Sequence, residues 1–259
     1  MLRFRSLGSG STGNAMVVEG AAGAGGARRL LVDCGFGLRE IGQRLAHAGL
    51  CADDIHAIFV THEHSDHIGC AHALALRHRI PVWMSHGTHT AIGAPDFDGL
   101  LRVARDGAAI DLGAFAALPF TVPHDAREPL QLTCDDGGAR LGILTDLGHA
   151  TPHVLERLAG CHALLLESNH DPDLLSASAY PPFLKRRVGG PYGHLANAAA
   201  ADILHALRHP GLRRVAAAHL SERNNRPELA RAALAGALQW DMADIAVADP
   251  RTGTGWLGC

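Results

Sequence analysis

The segment Thr61-His62-Glu63-His64-Ser65-Asp66-His67 places four potential metal ligands within six consecutive positions. On extended backbone, side chains two residues apart share a face, so His62 and His64 can point at one ion while Asp66 and His67 turn toward a second. One loop cannot fill two coordination spheres, and further donors are therefore expected at other strand ends. They occur as His124 in Thr-Val-Pro-His-Asp-Ala, Asp146 in Leu-Thr-Asp-Leu-Gly-His, and His219 in Ala-His-Leu-Ser. Taken singly, each is more often a cap or a surface residue; as a set they supply what the loop lacks. The chain holds 18 histidines, so position has to decide. His47, His72, His78, His86, His89, His149, His153, His205 and His209 fall in helical or surface stretches and are read as non-ligands.

Three other groups carry chemistry. In the loop Gly8 to Asn14, glycines let backbone N–H groups approach an anion while Ser9, Ser11, Thr12 and Asn14 add neutral donors, which suits a phosphate end group. A tight turn between two strands is the competing reading. No Walker-type lysine accompanies this loop, which argues against nucleoside triphosphate hydrolysis. Lys185, Arg186 and Arg187 form a dense basic cluster that could follow a nucleic-acid backbone, with a solvated helix face as the alternative; Lys185 and Arg186 are chosen as substrate contacts. Arg223 and Arg226 extend the patch, and Tyr180, Phe183 and Tyr192 are the nearest aromatics for stacking. His194 opens a helix in Gly-His-Leu, where it can meet a phosphoryl oxygen as a catalytic group or serve as a cap. His170 is a weaker candidate of the same kind.

The elements that must position these residues follow from periodicity. Leu2 to Ser6, Ala15 to Val18, Arg29 to Asp33, His56 to Thr61 and Pro81 to Ser85 read as strands, as do Ala114 to Val122, Leu130 to Cys134, Arg140 to Thr145, Ala163 to Glu167, Val215 to Ala218 and Ile245 to Ala248. Leu38 to Ala48, Ile68 to His78, a stretch after Thr151-Pro152, Pro172 to Leu184, Leu195 to Arg208 and a final segment from Pro227 read as helices. Asp136-Gly137-Gly138 marks a hairpin turn, and the Gly/Ala-rich run Gly20 to Ala27 a loop tip between strands. Two β-rich halves with flanking helices predict an α/β (α+β) chain folded as a four-layer αββα sandwich, one domain over residues 1–259. No internal repeat is strong enough in sequence to quote.

Composition sets outer limits. A net charge of -3 gives no global attraction for a polyanion, so nucleic-acid binding would need a local basic patch. Six scattered cysteines without a CxxC pair, and no secretory segment, fit a reducing cytoplasm. No apolar run approaches the roughly 20 residues that cross a bilayer, so no membrane association is expected.

With Asp33 ending Leu31-Val32-Asp33-Cys34-Gly35, the histidine loop, His124, Asp146 and His219 resemble, in order, the motifs of the metallo-β-lactamase fold. The resemblance spans essentially the whole chain. It implies that His62, His64 and His124 hold one ion, that Asp66, His67 and His219 hold the other, and that Asp146 bridges them. Asp33 would orient the metal loop. The cofactors implied are two divalent ions, Zn2+ or Mn2+, with a bridging hydroxide as nucleophile and Asp66 orienting it. The finer likeness is to the YycJ/WalJ-like branch, carried by Ser6 to Asn14, Glu167-Ser168-Asn169-His170-Asp171, Leu184 to Arg187, Gly193-His194-Leu195-Ala196-Asn197 and His219 to Asn225. Ala196 departs from the serine common there. That branch implies a 5′-to-3′ exonuclease acting on DNA 5′ ends. The alternatives are a small-molecule phosphodiesterase, as for a cyclic phosphodiester, or a thioesterase of the same fold, and a non-catalytic metal-binding regulatory module, against which all seven ligands stand. The oligomeric state is open.

Overall fold

The computed structural model describes residues 1–21 and 26–259; the centre of the Gly20 to Ala27 run lies outside them. In chain order the elements are β1 (Leu2–Gly8), β2 (Ala15–Ala21), β3 (Ala27–Val32), α1 (Leu38–His47), β4 (Ala57–Phe59), α2 (Ser65–Ile68), α3 (Ala71–His78), β5 (Val82–Met84), α4 (His86–Ala91) and β6 (Leu101–Val103). They continue with β7 (Ile110–Asp111), β8 (Ala116–Thr121), β9 (Leu130–Asp135), β10 (Arg140–Leu144), α5 (Pro152–Leu158), β11 (Ala163–Glu167), α6 (Pro172–Ala177), α7 (Pro182–Val188), α8 (Asn197–Leu207), β12 (Arg214–Ala218), α9 (Pro227–Leu238), β13 (Ile245–Val247) and β14 (Leu257–Gly258).

Two seven-stranded sheets result, in the orders β14-β1-β2-β3-β4-β5-β6 and β13-β12-β11-β10-β9-β8-β7. Each is antiparallel on one side and parallel on the other, and the change falls at the fourth strand of each, β3 and β10. The sheets therefore repeat one another in pairing pattern, a relation that leaves no quotable trace in sequence.

Alternation on the strands sorts side chains between two environments. On β3, Leu30 and Val32 join Phe4, Val18 and Phe59 in a core shared with Leu132, Ile143 and Leu165 of the other sheet. Leu31 points outward, against Ile41 and Leu45 of α1 and Leu74 of α3. On β11 the outward pair Leu164 and Leu166 packs with Leu158, Leu204 and Leu234 from α5, α8 and α9. Strands buried on both faces need apolar residues at every position, and β11 is buried throughout. The layers are thus helix, sheet, sheet, helix, as the residue pattern predicts.

Differences are local. The stretch Ile68 to His78 is broken at Gly69 and Cys70, with a helical turn already formed inside the histidine loop. The stretch Pro172 to Leu184 is likewise two short helices, α6 and α7. The elements α4, β6, β7 and β14 were not expected; strands of two or three residues are too short to show a period.

Candidate metal centre

The strand ends carry the chemistry through sharp turns. Asp33 after β3, Asp146 after β10 and His219 after β12 all adopt left-handed backbone, with φ of 60, 54 and 54°. Asp and His tolerate that region better than most residues, and in it the chain leaves the strand abruptly, turning the side chain off the sheet edge. The histidine loop is stitched onto the Asp33 turn by Cys34 N–H to His67 O (2.8 Å), Asn14 N–H to Asp66 O (2.8 Å) and Cys70 N–H to Cys34 O (3.0 Å). The approach is so close that a Cβ at Gly35 would collide with the Asp66 carbonyl, and one at Gly69 with Cys34 O. Gly69, at φ 30°, ends α2 for that reason.

All seven residues expected from sequence converge. His62, His64 and His124 form one group of donors, Asp66, His67 and His219 a second, and His62, His67 and Asp146 a third; within each, the ligand atoms lie within 4.8 Å of one another. Asp146 stands between the halves, 3.2 Å from His67 Nε2 and 3.4 Å from His219 Nε2. Asp66 closes the second group, with Oδ2 3.4 Å from His219 Nε2 and 3.5 Å from His67 Nε2. None of the nine histidines set aside above belongs to any such group among the described residues.

Hydrogen bonds around the rings settle which nitrogens face inward. Asp33 Oδ2 accepts from His67 Nδ1 (2.8 Å), and Thr61 Oγ1, which donates to Asp33 (3.0 Å), sits 3.0 Å from His62 Nδ1. One buried carboxylate thus holds His67 directly, and His62 by way of Thr61, through Nδ1, which turns both Nε2 atoms toward the other donors, as a ligand imidazole requires. His124 Nδ1 donates to Gly193 O (3.1 Å), which frees its Nε2, and this lies 3.3 Å from His64 Nδ1. His62 Nε2 and Asp146 Oδ2 are buried without a hydrogen-bond partner among the described residues. Orphaned polar atoms at this depth are costly unless something binds them, and an all-nitrogen set beside a mixed nitrogen and carboxylate set is a suitable cradle for divalent cations. The residues fit the group.

Electrostatics divides the two halves. Burial holds the imidazole of His62 well below its ordinary range and lowers that of His124, so both are neutral and ready to ligate. Around the second group burial works the same way but loses: carboxylates of Asp146 and Asp33 raise His67 well above its ordinary value. Those of Asp146, Asp66 and Glu167 lift His219 to about 9 against its burial. Without metal, this half keeps protons where a cation would sit.

Glu167 was not expected as part of the site. It is fully buried at the end of β11, its Oε2 accepts N–H from Leu147 (3.1 Å) and Leu195 (3.2 Å), and its Oε1 accepts from His194 Nδ1 (2.7 Å). Leu147 and Leu195 directly follow Asp146 and His194, and His219 Nδ1 is 3.6 Å from the same Oε1. A single carboxylate therefore contacts the turns that carry Asp146 and His194 and lies beside His219, and these four residues form a further group of donors within 4.8 Å of one another. An acid closing an otherwise apolar strand was the available signal. His194 stacks on His219, with ring centres 5.1 Å apart and planes 14° apart. Burial opposes its charge, but Glu167 outweighs this and raises it. His170 is buried nearby and joins no ligand group.

Over the centre lies a cleft of about 350 Å³ whose walls include Ser11, Asp66, Asp125, Asp146, His194 and His219. The loop residues proposed to meet a phosphate part company here. Ser11 lines the cleft. Ser9 and Asn14 are buried and already engaged: Ser9 Oγ accepts from His219 N–H (2.8 Å), and Asn14 Nδ2 donates to Gly10 O (3.1 Å) and lies 3.3 Å from Asp66 Oδ2. Both position ligands. Thr12 is exposed and is not among the cleft residues. Lys185 and Arg186 also lie outside the lining, Lys185 donating from Nζ to Ser176 O, whereas Arg187 is in it.

Comparison with known proteins agrees with this geometry. Residues 28–220 match the model of the beta-lactamase superfamily domain. Exodeoxyribonuclease YycJ of Bacillus anthracis is 33% identical over 242 residues, covering 92% of this chain and 89% of that one. Exodeoxyribonuclease WalJ of Streptococcus pneumoniae serotype 2 is 28% identical over 250 residues, covering 95% and 90%. Among solved structures, the metallo-β-lactamase fold protein YhfI from Bacillus subtilis has a TM-score of 0.76 at 14% identity, covering 100% of both chains. Zn2+-bound PqqB from Methylobacterium extorquens has a TM-score of 0.76 at 16% identity, covering 99% of this chain and 100% of that one. The chain is therefore a member of the beta-lactamase superfamily, a metallo-β-lactamase-fold hydrolase of the YycJ/WalJ branch.

Proposed function

We propose that the protein is a dinuclear metal-dependent phosphodiesterase that removes nucleotides from DNA 5′ ends in the 5′-to-3′ direction. The observation carrying this reading is the convergence of His62, His64, Asp66, His67, His124, Asp146 and His219 beneath one open cleft. The names of the YycJ and WalJ relatives, both exodeoxyribonucleases, support DNA as substrate.

Two divalent ions, Zn2+ or Mn2+, would supply an activated water nucleophile near neutral pH and offset charge on the phosphoryl oxygens. His62, His64 and His124 would hold one and Asp66, His67 and His219 the other, with Asp146 shared. The remaining steps belong to the protein. Asp66, on the cleft wall, orients the attacking water. His194, protonated through Glu167 and turned into the cleft, hands a proton to the departing oxygen. Ser11 meets the 5′-terminal phosphate, while Ser9, Asn14 and Asp33 keep the ligands in place. Lys185 and Arg186 would meet the duplex beyond the cleft through long-range attraction to its backbone.

No helix among the described residues is long and apolar enough to cross a membrane, and all six cysteines are free thiols. Free thiols support a reducing compartment, and we place the protein in the cytoplasm on that ground.

The test is digestion of a duplex labelled at either terminus, with and without a 5′-phosphate, in Zn2+ or Mn2+. Stepwise loss from the phosphorylated 5′ end is expected. Intact DNA with both ions bound, alongside cleavage of a cyclic phosphodiester or a thioester, would replace the exonuclease reading.

A further inference from the structure

The cleft wall contributed by α7 has a regular spacing. Leu184, Arg187 and Val188 of the helix line the cleft, as does Tyr180 just before it, and positions three and four apart share one face of a helix. Lys185 and Arg186, between them in sequence, fall on other faces. Arg187 is consequently the one lysine or arginine among the described cleft-lining residues; the charged company is Asp66, Asp125 and Asp146 with three imidazoles.

Arg187 is also fixed in direction. Its Nε donates to Asp125 Oδ2 at 2.6 Å. Asp125 in turn follows the ligand His124, donates its backbone N–H to Tyr192 O (3.0 Å), and has Oδ1 3.5 Å from His124 Nε2. With Nε engaged, Nη1 and Nη2 have no protein acceptor among the described residues. The side chain is 59% exposed, so a ligand can reach these donors without first stripping a buried ion pair. A planar guanidinium with two free parallel donors matches two oxygens of a phosphate, which an ammonium group cannot reproduce.

We infer that Arg187, aimed by Asp125, is the residue that grips the non-bridging phosphoryl oxygens of the substrate, and that it sets the preference of this cleft for phosphodiesters over uncharged esters. The inference rests on the phosphodiesterase reading. It assigns Asp125 a positioning role, with Arg187 making the contact. It also makes Arg187 the member of the basic run that binds substrate inside the cleft, with Lys185 and Arg186 left to the duplex beyond it.

The experiment compares Arg187→Ala, Arg187→Lys and Asp125→Asn with wild type and with Arg208→Ala, an exposed single-charge control on the far end of α8. Calorimetric titration of the zinc-loaded chain with inorganic phosphate is the first readout, and KM and kcat on a 5′-phosphorylated oligonucleotide the second. Arg187→Ala is expected to weaken phosphate binding and to raise KM about 10- to 100-fold, with kcat within a few-fold and metal content unchanged, the scale of one lost charge-assisted hydrogen-bond pair. Arg187→Lys should recover only part of this because it keeps charge without the fork. Asp125→Asn should fall between, and Arg208→Ala should match wild type.

Phosphate binding and KM unchanged in Arg187→Ala, or changed no more than in Arg208→Ala, would overturn the inference. If the wild type leaves oligonucleotides intact, the exonuclease reading fails, and the phosphate titration still decides the role of Arg187.

Discussion

Asp33 and Asp146 flank the two nitrogens of one imidazole: Asp33 Oδ2 lies 2.8 Å from His67 Nδ1, and Asp146 Oδ2 lies 3.2 Å from His67 Nε2. The two acids occupy matching places, each in left-handed backbone after the fourth strand of its sheet. One faces a ligand from behind and the other from the metal side. Asp33→Asn keeps the shape but loses the charge that fixes the ring. Affinity for the second ion is expected to fall about 10- to 100-fold, as for other partners of ligand histidines. Competition with a chromogenic chelator measures it, and unchanged affinity would remove Asp33 from this role.

Loss of ligands should be graded. His62→Ala removes a donor from one group and leaves the second complete, so one ion per chain should remain. Asp146→Ala removes the shared anion, and two nearby cations then repel without it; neither ion should be retained at stoichiometric concentration. Hydrolysis should fall at least about 1,000-fold in both, comparable to losing a major electrostatic contributor. Metal content by mass spectrometry and activity on bis(p-nitrophenyl) phosphate check this. Full activity after exhaustive chelation would end the metal-dependent reading.

The metal-free chain should respond to pH in a defined direction. His219 is raised to about 9, above the ordinary imidazole value of about 6.5. Its stabilisation is complete below the lower value and is lost as pH rises through the upper one, on the order of 3 kcal/mol in all. Thermal unfolding in chelator should show a falling midpoint between pH 7 and 9.5. Saturating zinc, which needs neutral ligands, should reduce that slope, and His219→Gln should lessen it without metal, His67 and His194, raised in the same sense, supplying the remainder. A flat wild-type profile in chelator would contradict the assignment.

Glu167→Gln tests the shared orienting group. Losing the negative charge lets burial dominate at His194, so its proton is held less tightly and the alkaline limb of kcat should move to lower pH. At neutral pH kcat is expected to drop about 100-fold, the lower range for a positioned acid. His194→Ala should lose as much and show no such limb. A Gln variant that changes metal content alone would place Glu167 with the ligands only.

Much of this was readable in the residues because the chemistry sits at strand ends of distinct composition. His62 to His67 interrupts an apolar run with consecutive donors, and His124, Asp146 and His219 each follow a strand that is otherwise apolar. Asp33 was legible for the same reason. Glu167 was harder, because it is the last residue of its strand and stands outside the expected ligand motifs; only the fold shows that Leu147, His194 and Leu195 surround it. Ser9 and Asn14 read as phosphate donors because the run of small polar residues cannot reveal which face inward. They are drawn in by His219 and Asp66, more than fifty residues away in sequence. Among Lys185, Arg186 and Arg187 the charge pattern is uniform. Helix phase relative to the cleft separates them, and a seven-residue helix between prolines and glycines leaves that phase undetermined until packing sets it.

His62, His64, Asp66 and His67 come from the turn after β4 in one sheet, whereas His124, Asp146 and His219 come from turns after β8, β10 and β12 in the other. Each coordination set therefore draws on both sheets, and neither sheet alone presents a complete one. This ties metal binding to the docking of the two sheets. The sheets have to dock on their apolar faces before either set is complete, so full coordination of an ion would require the docked state. Ions bound only by the docked state then deepen its stability by mass action.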